Sequence, residues 1–324
     1  MIKTKLNFAT NAVKSSTMSN KKLIYIAGPT AVGKTALSVS LAQKFQTEII
    51  SCDARQCYYE MTIGTAVPSM EERKGITHHF IQNKTIHQPF DAGAFEREGL
   101  KLLKKLFQKY DHVVMVGGSG LYAKALIEGL DKFPEITTKA VSRVKFLYQD
   151  QGLEGLQKLL KKIDPLYYKT VDLNNTSRLL RALEVWETVK KPYSSFLGHS
   201  KKKRPFSTHT LLLKMPRPQL YEKINFRVER MVKAGLEIEA QRLYTNKNLP
   251  ALQTLGYQEW FKHFEGKYSL KETIEEIKKN SRRYAKRQIT WFNRLEAHEI
   301  SMKIQIKGIK IGLNTVKKLA QDLS

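Results

Sequence analysis

Short apolar runs alternate with amphipathic stretches along the first third of the chain. Leu23-Ile24-Tyr25-Ile26-Ala27 is apolar throughout, so residues 22–27 are predicted to form a strand buried on both faces. Residues 48–52 (Glu-Ile-Ile-Ser-Cys) and 112–116 (His-Val-Val-Met-Val) repeat that pattern. Between them, residues 96–109 carry apolar positions at helical spacing, and 121–126 open another helix. Strands alternating with helices predict a parallel α/β sheet.

The pattern changes after residue 130. Residues 131–199 show helical periodicity only, with helices predicted at 138–150, 153–162 and 176–190 and breaks at Gly152 and at Asp164-Pro165. A basic segment, Lys201-Lys202-Lys203-Arg204-Pro205, follows. Residues 209–215 read as another core strand, then come helices at 217–234, 236–244 and 270–293. Alternation at Ile300, Met302, Ile304 and Ile306 predicts a late strand. The expected organisation is therefore an α/β core from 21–130 and 200–310, interrupted by a helical insertion at 131–199. Residues 1–20 are expected to be a leader or disordered segment and 311–324 a tail. The first twenty residues have the Lys, Ser and Thr content of a transit peptide but lack arginine. A disordered tail, with Met18 as the natural start, is the reading preferred.

Composition adds a partner. The chain carries 56 basic against 30 acidic residues, a net charge of +26. That excess exceeds what solubility requires and points to a polyanion, most simply nucleic acid, although a generally Lys-rich proteome would account for part of it. The two cysteines, Cys52 and Cys57, exclude a disulfide framework and a thiolate metal site, and fit a reducing cytoplasmic compartment. No apolar run approaches the ~20 residues of a membrane span.

Gly28-Pro29-Thr30-Ala31-Val32-Gly33-Lys34-Thr35 carries the clearest chemistry. It fits G-x-x-x-x-G-K-[ST] and stands between a predicted strand and a predicted helix, where backbone N–H groups and a helix N-terminus cradle a diphosphate or triphosphate. Lys34 adds a point charge and Thr35 a hydroxyl for Mg²⁺. Asp53 directly follows the second strand. It would cap a following helix or, beside an anion site, take a proton or steer Mg²⁺. The third strand ends in Gly117-Gly118-Ser119-Gly120 where ordinary P-loop NTPases place an Asp, which argues against a standard ATPase. The turn would either let a substrate reach the backbone, with Ser119 offering a hydroxyl, or simply join strand to helix. Lys278, Lys279, Arg282, Arg283, Lys286, Arg287 and Arg294 crowd one C-terminal helix among Tyr284, Trp291 and Phe292, a mixture suited to RNA. Arg178 and Arg181 share a helix face and would meet a phosphate backbone or pair with Glu184 or Asp172.

Together these motifs resemble the tRNA dimethylallyltransferases. The residues that carry the resemblance are Gly28–Thr35, Asp53-Ala54-Arg55-Gln56 with Tyr58, Ile63–Pro68 (Ile-Gly-Thr-Ala-Val-Pro), Val116–Tyr122, and Asp164-Pro165. Further along come Arg178–Val185, Leu255-Gly256-Tyr257-Gln258-Glu259 and Lys286–Phe292, so that the match covers about residues 22–294 in family order. Two positions depart. Ala54 stands where the family has serine, and Ser119 where it has threonine. The two cysteines leave no material for the C-terminal zinc finger of some eukaryotic members.

The resemblance implies a P-loop NTPase-like fold and transfer of a dimethylallyl group from dimethylallyl diphosphate to N6 of adenosine 37 in the anticodon stem-loop of tRNA, using Mg²⁺; a monomer is the default expectation. It implies that Gly28, Thr30, Ala31, Val32, Gly33, Lys34 and Thr35 hold the diphosphate, with Arg227 beside them and Mg²⁺ on Thr35. Asp53 would accept the N6 proton, with Ser119 and Gln56 positioning the flipped base. Contact with tRNA would fall to Asp53, Ala54, Arg55, Gln56, Ser177, Arg178, Arg181, Lys286, Arg287, Gln288 and Trp291. Three rival readings remain open on the residues: a P-loop small-molecule kinase, an adenylate isopentenyltransferase using free nucleotide, and a nucleotide-gated RNA-binding protein.

Overall fold

The computed structural model describes residues 20–198, 202–295 and 297–301, together with residue 321. The expected leader (apart from residue 20) and the tail (apart from residue 321) lie outside the described residues, as do Lys201 and the late-strand positions beyond 301. Tertiary contacts divide the chain into two units, one running to Ala123 and resuming at Arg204, the other Lys124–Lys203.

In the first unit the apolar runs become strands β1 (Lys22–Ala27), β2 (Ile49–Ser51), β3 (His78–His79), β4 (His112–Val116), β5 (Ser207–Lys214) and β6 (His298–Ser301). They form a six-stranded sheet in the order β3-β2-β4-β1-β5-β6. Every pairing is parallel, with Ile24 opposite Val114 on one side and His209 on the other. The fold is thus α/β with a parallel sheet, as the alternation implied. Because parallel strands need crossovers, helices cover both faces and the central strands are apolar throughout. Helices α1 (Lys34–Lys44), α8 (Arg217–Lys233) and α11 (Leu270–Phe292) contribute Leu37, Leu41, Leu220, Ile224 and Ala285 to one core with Ile24, Ile26, Val114 and Leu213. Elsewhere in this unit Phe80, Phe90, Phe95 and Tyr122 form an aromatic cluster, Phe80 stacked on Phe90 and the other pairs edge to face or tilted. They tie α3 (Ala92–Lys109) to the start of α4 (Gly120–Ile127). Short α2 (Met70–Arg73), α9 (Leu236–Leu243) and α10 (Tyr257–Phe264) complete the unit. The alternation pattern predicted neither α2, β3 nor α10. The first two are too short to show a period, and α10 stands in a stretch noted only for its motif.

The second unit is helical: α5 (Thr138–Ile163), α6 (Pro165–Tyr168) and α7 (Thr176–Val189). Within α5 the two helices predicted either side of Gly152 are present and abut there, broken where predicted, because Gly152 leaves helical geometry at φ 60°, ψ −157°. Val144, Leu156, Leu160, Leu179 and Leu183 form its core. Asp164 is buried at its heart. One oxygen accepts from the Tyr167 N–H (3.0 Å) and the Ser194 hydroxyl (2.7 Å), the other from the Ser194 N–H (2.7 Å). That network explains Asp164-Pro165: the carboxylate caps α6 and proline fills its first turn. No helix among the described residues is long and apolar enough to cross a membrane.

Candidate active site

The loop from Gly28 to Lys34 joins β1 to α1 at the carboxyl end of the sheet, the end where open parallel sheets bind ligands. Gly33 caps α1 at φ 107°, a conformation that a side chain resists, and supplies no capping hydrogen bond. The N–H groups of Ala31, Val32 and Gly33 have no protein acceptor among the described residues. A helix N-terminus with unpaired donors is an anion site. The Lys34 ammonium folds over the loop and donates to the carbonyls of Gly28 (2.9 Å) and Pro29 (2.8 Å). Enclosure by protein and the Arg227 charge push its pKa down to about 7, against the opposing pull of Asp53. Arg227, on α8, donates to the Thr30 hydroxyl (3.4 Å), and burial lowers its own pKa. Two cations thus crowd one loop, an arrangement that costs energy unless an anion joins them.

Asp53 follows β2. Its Oδ1 accepts from the N–H groups of Arg55 (2.9 Å) and Gln56 (3.3 Å), while Oδ2 has no protein donor among the described residues. The carboxylate therefore caps its own turn and still presents a free oxygen, combining the two roles read from sequence. Ser119 Oγ accepts from the Ala54 N–H (3.0 Å), so the hydroxyl braces the Asp53 loop from the neighbouring strand end. The Gly117–Gly120 turn is glycine-rich because of contact. A Cβ on Gly117 would lie 1.9 Å from the Cys52 carbonyl oxygen, on Gly118 2.2 Å from Gln288 Nε2, and on Gly120 2.1 Å from Trp291 Nε1.

Helix α11 locks this end of the sheet. Gln288 is buried; its Oε1 accepts from the Thr30 N–H (2.8 Å) and its Nε2 donates to the Gly118 carbonyl (3.0 Å), so one side chain ties the phosphate loop to the glycine turn. Both ends of an amide expected to touch tRNA are engaged within the protein. Gln56 is similar: its Nε2 donates to the carbonyls of Thr65 (3.1 Å) and Ala66 (3.0 Å), and its Oε1 accepts from Ser51 Oγ (3.3 Å). The aromatic residues of α11 are not all stacking rings for RNA. Phe292 is a core residue. Tyr284 is half-buried, and burial and the Asp53 charge push its phenol up to about 12. Several expected free cations are paired: Lys278 with Glu229 and Glu275, Lys279 with Glu276, Arg282 with Asn225. Lys286 and Arg287 remain exposed, Arg287 over the Tyr284 ring.

In the second unit Ser177, Arg178 and Arg181 are exposed on the first turns of α7. Neither arginine forms an ion pair with Glu184 or Asp172 among the described residues. The Arg181 guanidinium lies over the Phe133 ring (5.9 Å), which itself stacks on Tyr193 (4.7 Å). No cluster of three or more His, Cys, Asp or Glu residues suited to a metal occurs among the described residues. Sequence reasoning missed Glu239, whose carboxylate receives three backbone N–H groups of residues 62–64. The only trace of it was the motif around its partner, Tyr257.

A parallel sheet, a phosphate-type loop with two half-buried cations and a carboxylate with one free oxygen define a P-loop-like α/β protein whose loop could take an anion beside that carboxylate. Comparison with known proteins narrows the class. The family model described as IPP transferase matches residues 56–295. The chain is 49% identical over 282 residues to the tRNA dimethylallyltransferase of Flavobacterium johnsoniae, covering 85% of this chain and 91% of that protein. It is 50% identical over 277 residues to that of Christiangramia forsetii, covering 86% and 91%. Among solved structures it resembles the tRNA isopentenylpyrophosphate transferase of Bacillus halodurans (TM-score 0.67, 32% identity, 94% of this chain and 95% of that one). It also resembles a eukaryotic dimethylallyltransferase acting on tRNA (TM-score 0.73, 26% identity, 87% and 74%). The chain belongs to the IPP transferase family.

Proposed function

We propose that the protein transfers a dimethylallyl group from dimethylallyl diphosphate to N6 of adenosine 37 in tRNA, releasing diphosphate. The observation that carries this reading is the pairing of two half-buried cations on an open phosphate loop with the free oxygen of Asp53. In the reaction the allylic C–O bond breaks, a C–N6 bond forms, the electron pair leaves on diphosphate and N6 sheds a proton. Lys34, Arg227 and the N–H groups of Ala31, Val32 and Gly33 are the donors for the growing diphosphate charge. Adenine N6 is a poor nucleophile because its lone pair is delocalised, and Asp53 Oδ2 receives its proton, a role worth ~10²–10⁴-fold. Ser119, Gln56 and Gln288 act as positioning residues through the contacts described above.

The residues present fit Mg²⁺ only in company with the substrate. The Thr35 hydroxyl has no protein partner among the described residues, and the remaining ligands would be diphosphate oxygens and water. When bound, the ion would supply further charge to the leaving group. For the acceptor, Ser177, Arg178 and Arg181 on α7 and Lys286, Arg287 and Trp291 on α11, with the Asp53–Gln56 loop, are the proposed contacts to the anticodon stem-loop, whose target base must leave its stack. The tRNA substrate is the reason to propose a cytoplasmic enzyme, and a monomer is proposed because one chain supplies every loop of the site.

The test is transfer of labelled dimethylallyl diphosphate to unmodified tRNA with Mg²⁺, beside AMP and ATP as acceptors. Label is expected on tRNA alone. Asp53→Ala is expected to lower transfer ~10²–10⁴-fold with tRNA binding retained. Label on free nucleotide, or full activity of the variant, would overturn the reading.

A further inference from the structure

We infer that Glu239 is a positioning residue for Asp53, acting through the segment 62–66 and Gln56. The inference rests on the reading of Asp53 as the proton acceptor. Glu239 projects from α9, outside every loop of the site. Its Oε2 accepts from the N–H groups of Thr62 (3.0 Å) and Ile63 (2.8 Å). Its Oε1 accepts from the Gly64 N–H (2.9 Å) and the Tyr257 hydroxyl (2.7 Å). Three successive backbone N–H groups converging on one carboxylate form a small anion nest. Burial and the Glu239 charge raise the Tyr257 pKa, so its phenol stays a donor.

The contacts run on without a gap. The nest closes a turn in which the Ala66 N–H donates to Ile63 O (2.9 Å) and the Val67 N–H to Thr62 O (3.0 Å). That turn presents the carbonyls of Thr65 and Ala66 side by side, and both accept from Gln56 Nε2. Ala66 itself is held at φ 50°, a left-handed conformation that needs such support. Gln56 in turn gives its own N–H to Asp53 Oδ1. Every link is a hydrogen bond between named atoms, and the Lys34–Arg227 side of the site is not on the path. A carboxylate is required at the head of it. A glutamine would present an NH₂ group to backbone N–H groups on one side and leave at least one of them unpaired.

Glu239→Gln is therefore expected to lower kcat for tRNA about tenfold to a hundredfold, the scale of a misplacement near 1 Å, with KM for dimethylallyl diphosphate within about twofold. Amide hydrogen exchange at Arg55 and Gln56 is expected to rise at least about tenfold while the β1 amides hold their protection. In a Gln56→Ala background the same substitution is expected to cost less than about twofold, since residues on one path are not additive. If Glu239→Gln fails to fold, Tyr257→Phe removes one of the four donors. It is expected to cost about threefold in kcat, an effect that again disappears with Gln56→Ala. Additive losses in the cycle, unchanged exchange at Arg55 and Gln56, or a lower Tm with full kcat would overturn the inference. Absence of transfer by the wild-type protein would defeat the reading of Asp53 as well; transfer with an additive cycle defeats Glu239 alone.

Discussion

Binding of the diphosphate is expected to take up a proton, and Lys34 is the reason. In the free protein its ammonium is partly desolvated, shares the loop with Arg227, and its pKa is pushed down to about 7. A group with that pKa is about half charged at pH 7 and about one-tenth charged at pH 8. A bound diphosphate adds negative charge beside it and restores the ammonium. Each binding event at pH 8 should therefore draw close to one proton from solution, and about half a proton at pH 7. The sign follows from the direction of the shift. The binding-competent form is the protonated one, so affinity is full below the free-protein pKa and falls as pH rises through it. The fall is up to about tenfold per pH unit until the pKa of the complex is reached. The diphosphate ester does not confuse the measurement, because its last proton leaves near pH 6.

Titration calorimetry of dimethylallyl diphosphate, without tRNA, at pH 8 in two buffers of different ionisation enthalpy reads the proton directly. The apparent enthalpy should differ between buffers by nearly one ionisation enthalpy. Lys34→Arg supplies the control. Its guanidinium stays charged throughout the range, so the buffer dependence and the fall in affinity from pH 7 to 9 should both vanish, whatever the affinity itself. A buffer-independent enthalpy for the wild-type protein, or the same pH slope in the arginine variant, would refute the reasoning.

Gly117→Ala is expected to be among the most destabilising single changes in the chain, above about 4 kcal/mol, because the new Cβ would stand 1.9 Å from a backbone carbonyl rather than from a movable side chain. A thermal melt reads it, and a Tm within a few degrees of wild type would contradict the packing described. Arg178→Ala and Arg181→Ala are each expected to weaken tRNA binding and to lower the slope of log affinity against log salt by about 0.7 to 1. Filter binding across a salt series checks this, and an unchanged slope would remove the arginine concerned from the phosphate contacts.

Strands β1, β2 and β4 were legible in the sequence because they are short apolar runs broken soon afterwards by glycine or Asp, with stretches of helical period between them, whereas the two histidines of β3 carry no such pattern. The phosphate loop and Asp53 were legible because each sits within one or two residues of a strand end. What could not be read was contact across the chain. Gln288 bonds Gly118 from 170 residues away, and nothing in the local pattern of α11 separates a buried amide from one facing solvent. Tyr284 and Phe292 were read with the basic residues around them as one RNA-binding surface. Helical geometry instead divides that stretch: the rungs at 285, 288 and 292 turn into the core while 283, 286 and 287 turn out. Glu239 was missed for a similar reason, since a carboxylate on a surface helix looks the same whether it meets water or a turn 175 residues earlier.

The missing acid after β4 has a cause in the backbone. Ordinary P-loop NTPases place an Asp there to hold Mg²⁺, and this chain has Gly117. The Cys52 N–H donates to Val116 O (2.7 Å) and the Ser119 N–H to Cys52 O (3.4 Å), so the ends of β2 and β4 are drawn together around Gly117. No side chain of any kind fits between them. The same closeness brings Ser119 Oγ under the Ala54 N–H, beside Asp53. The acid at the end of β4 and the bracing of Asp53 by Ser119 are thus alternatives: room for one would break the other. A protein that only hydrolysed or switched on a nucleotide would gain nothing from that exchange. For the reaction proposed above the exchange has a use: it braces the loop of a carboxylate whose Oδ1 is tied to two N–H groups and whose Oδ2 stays open.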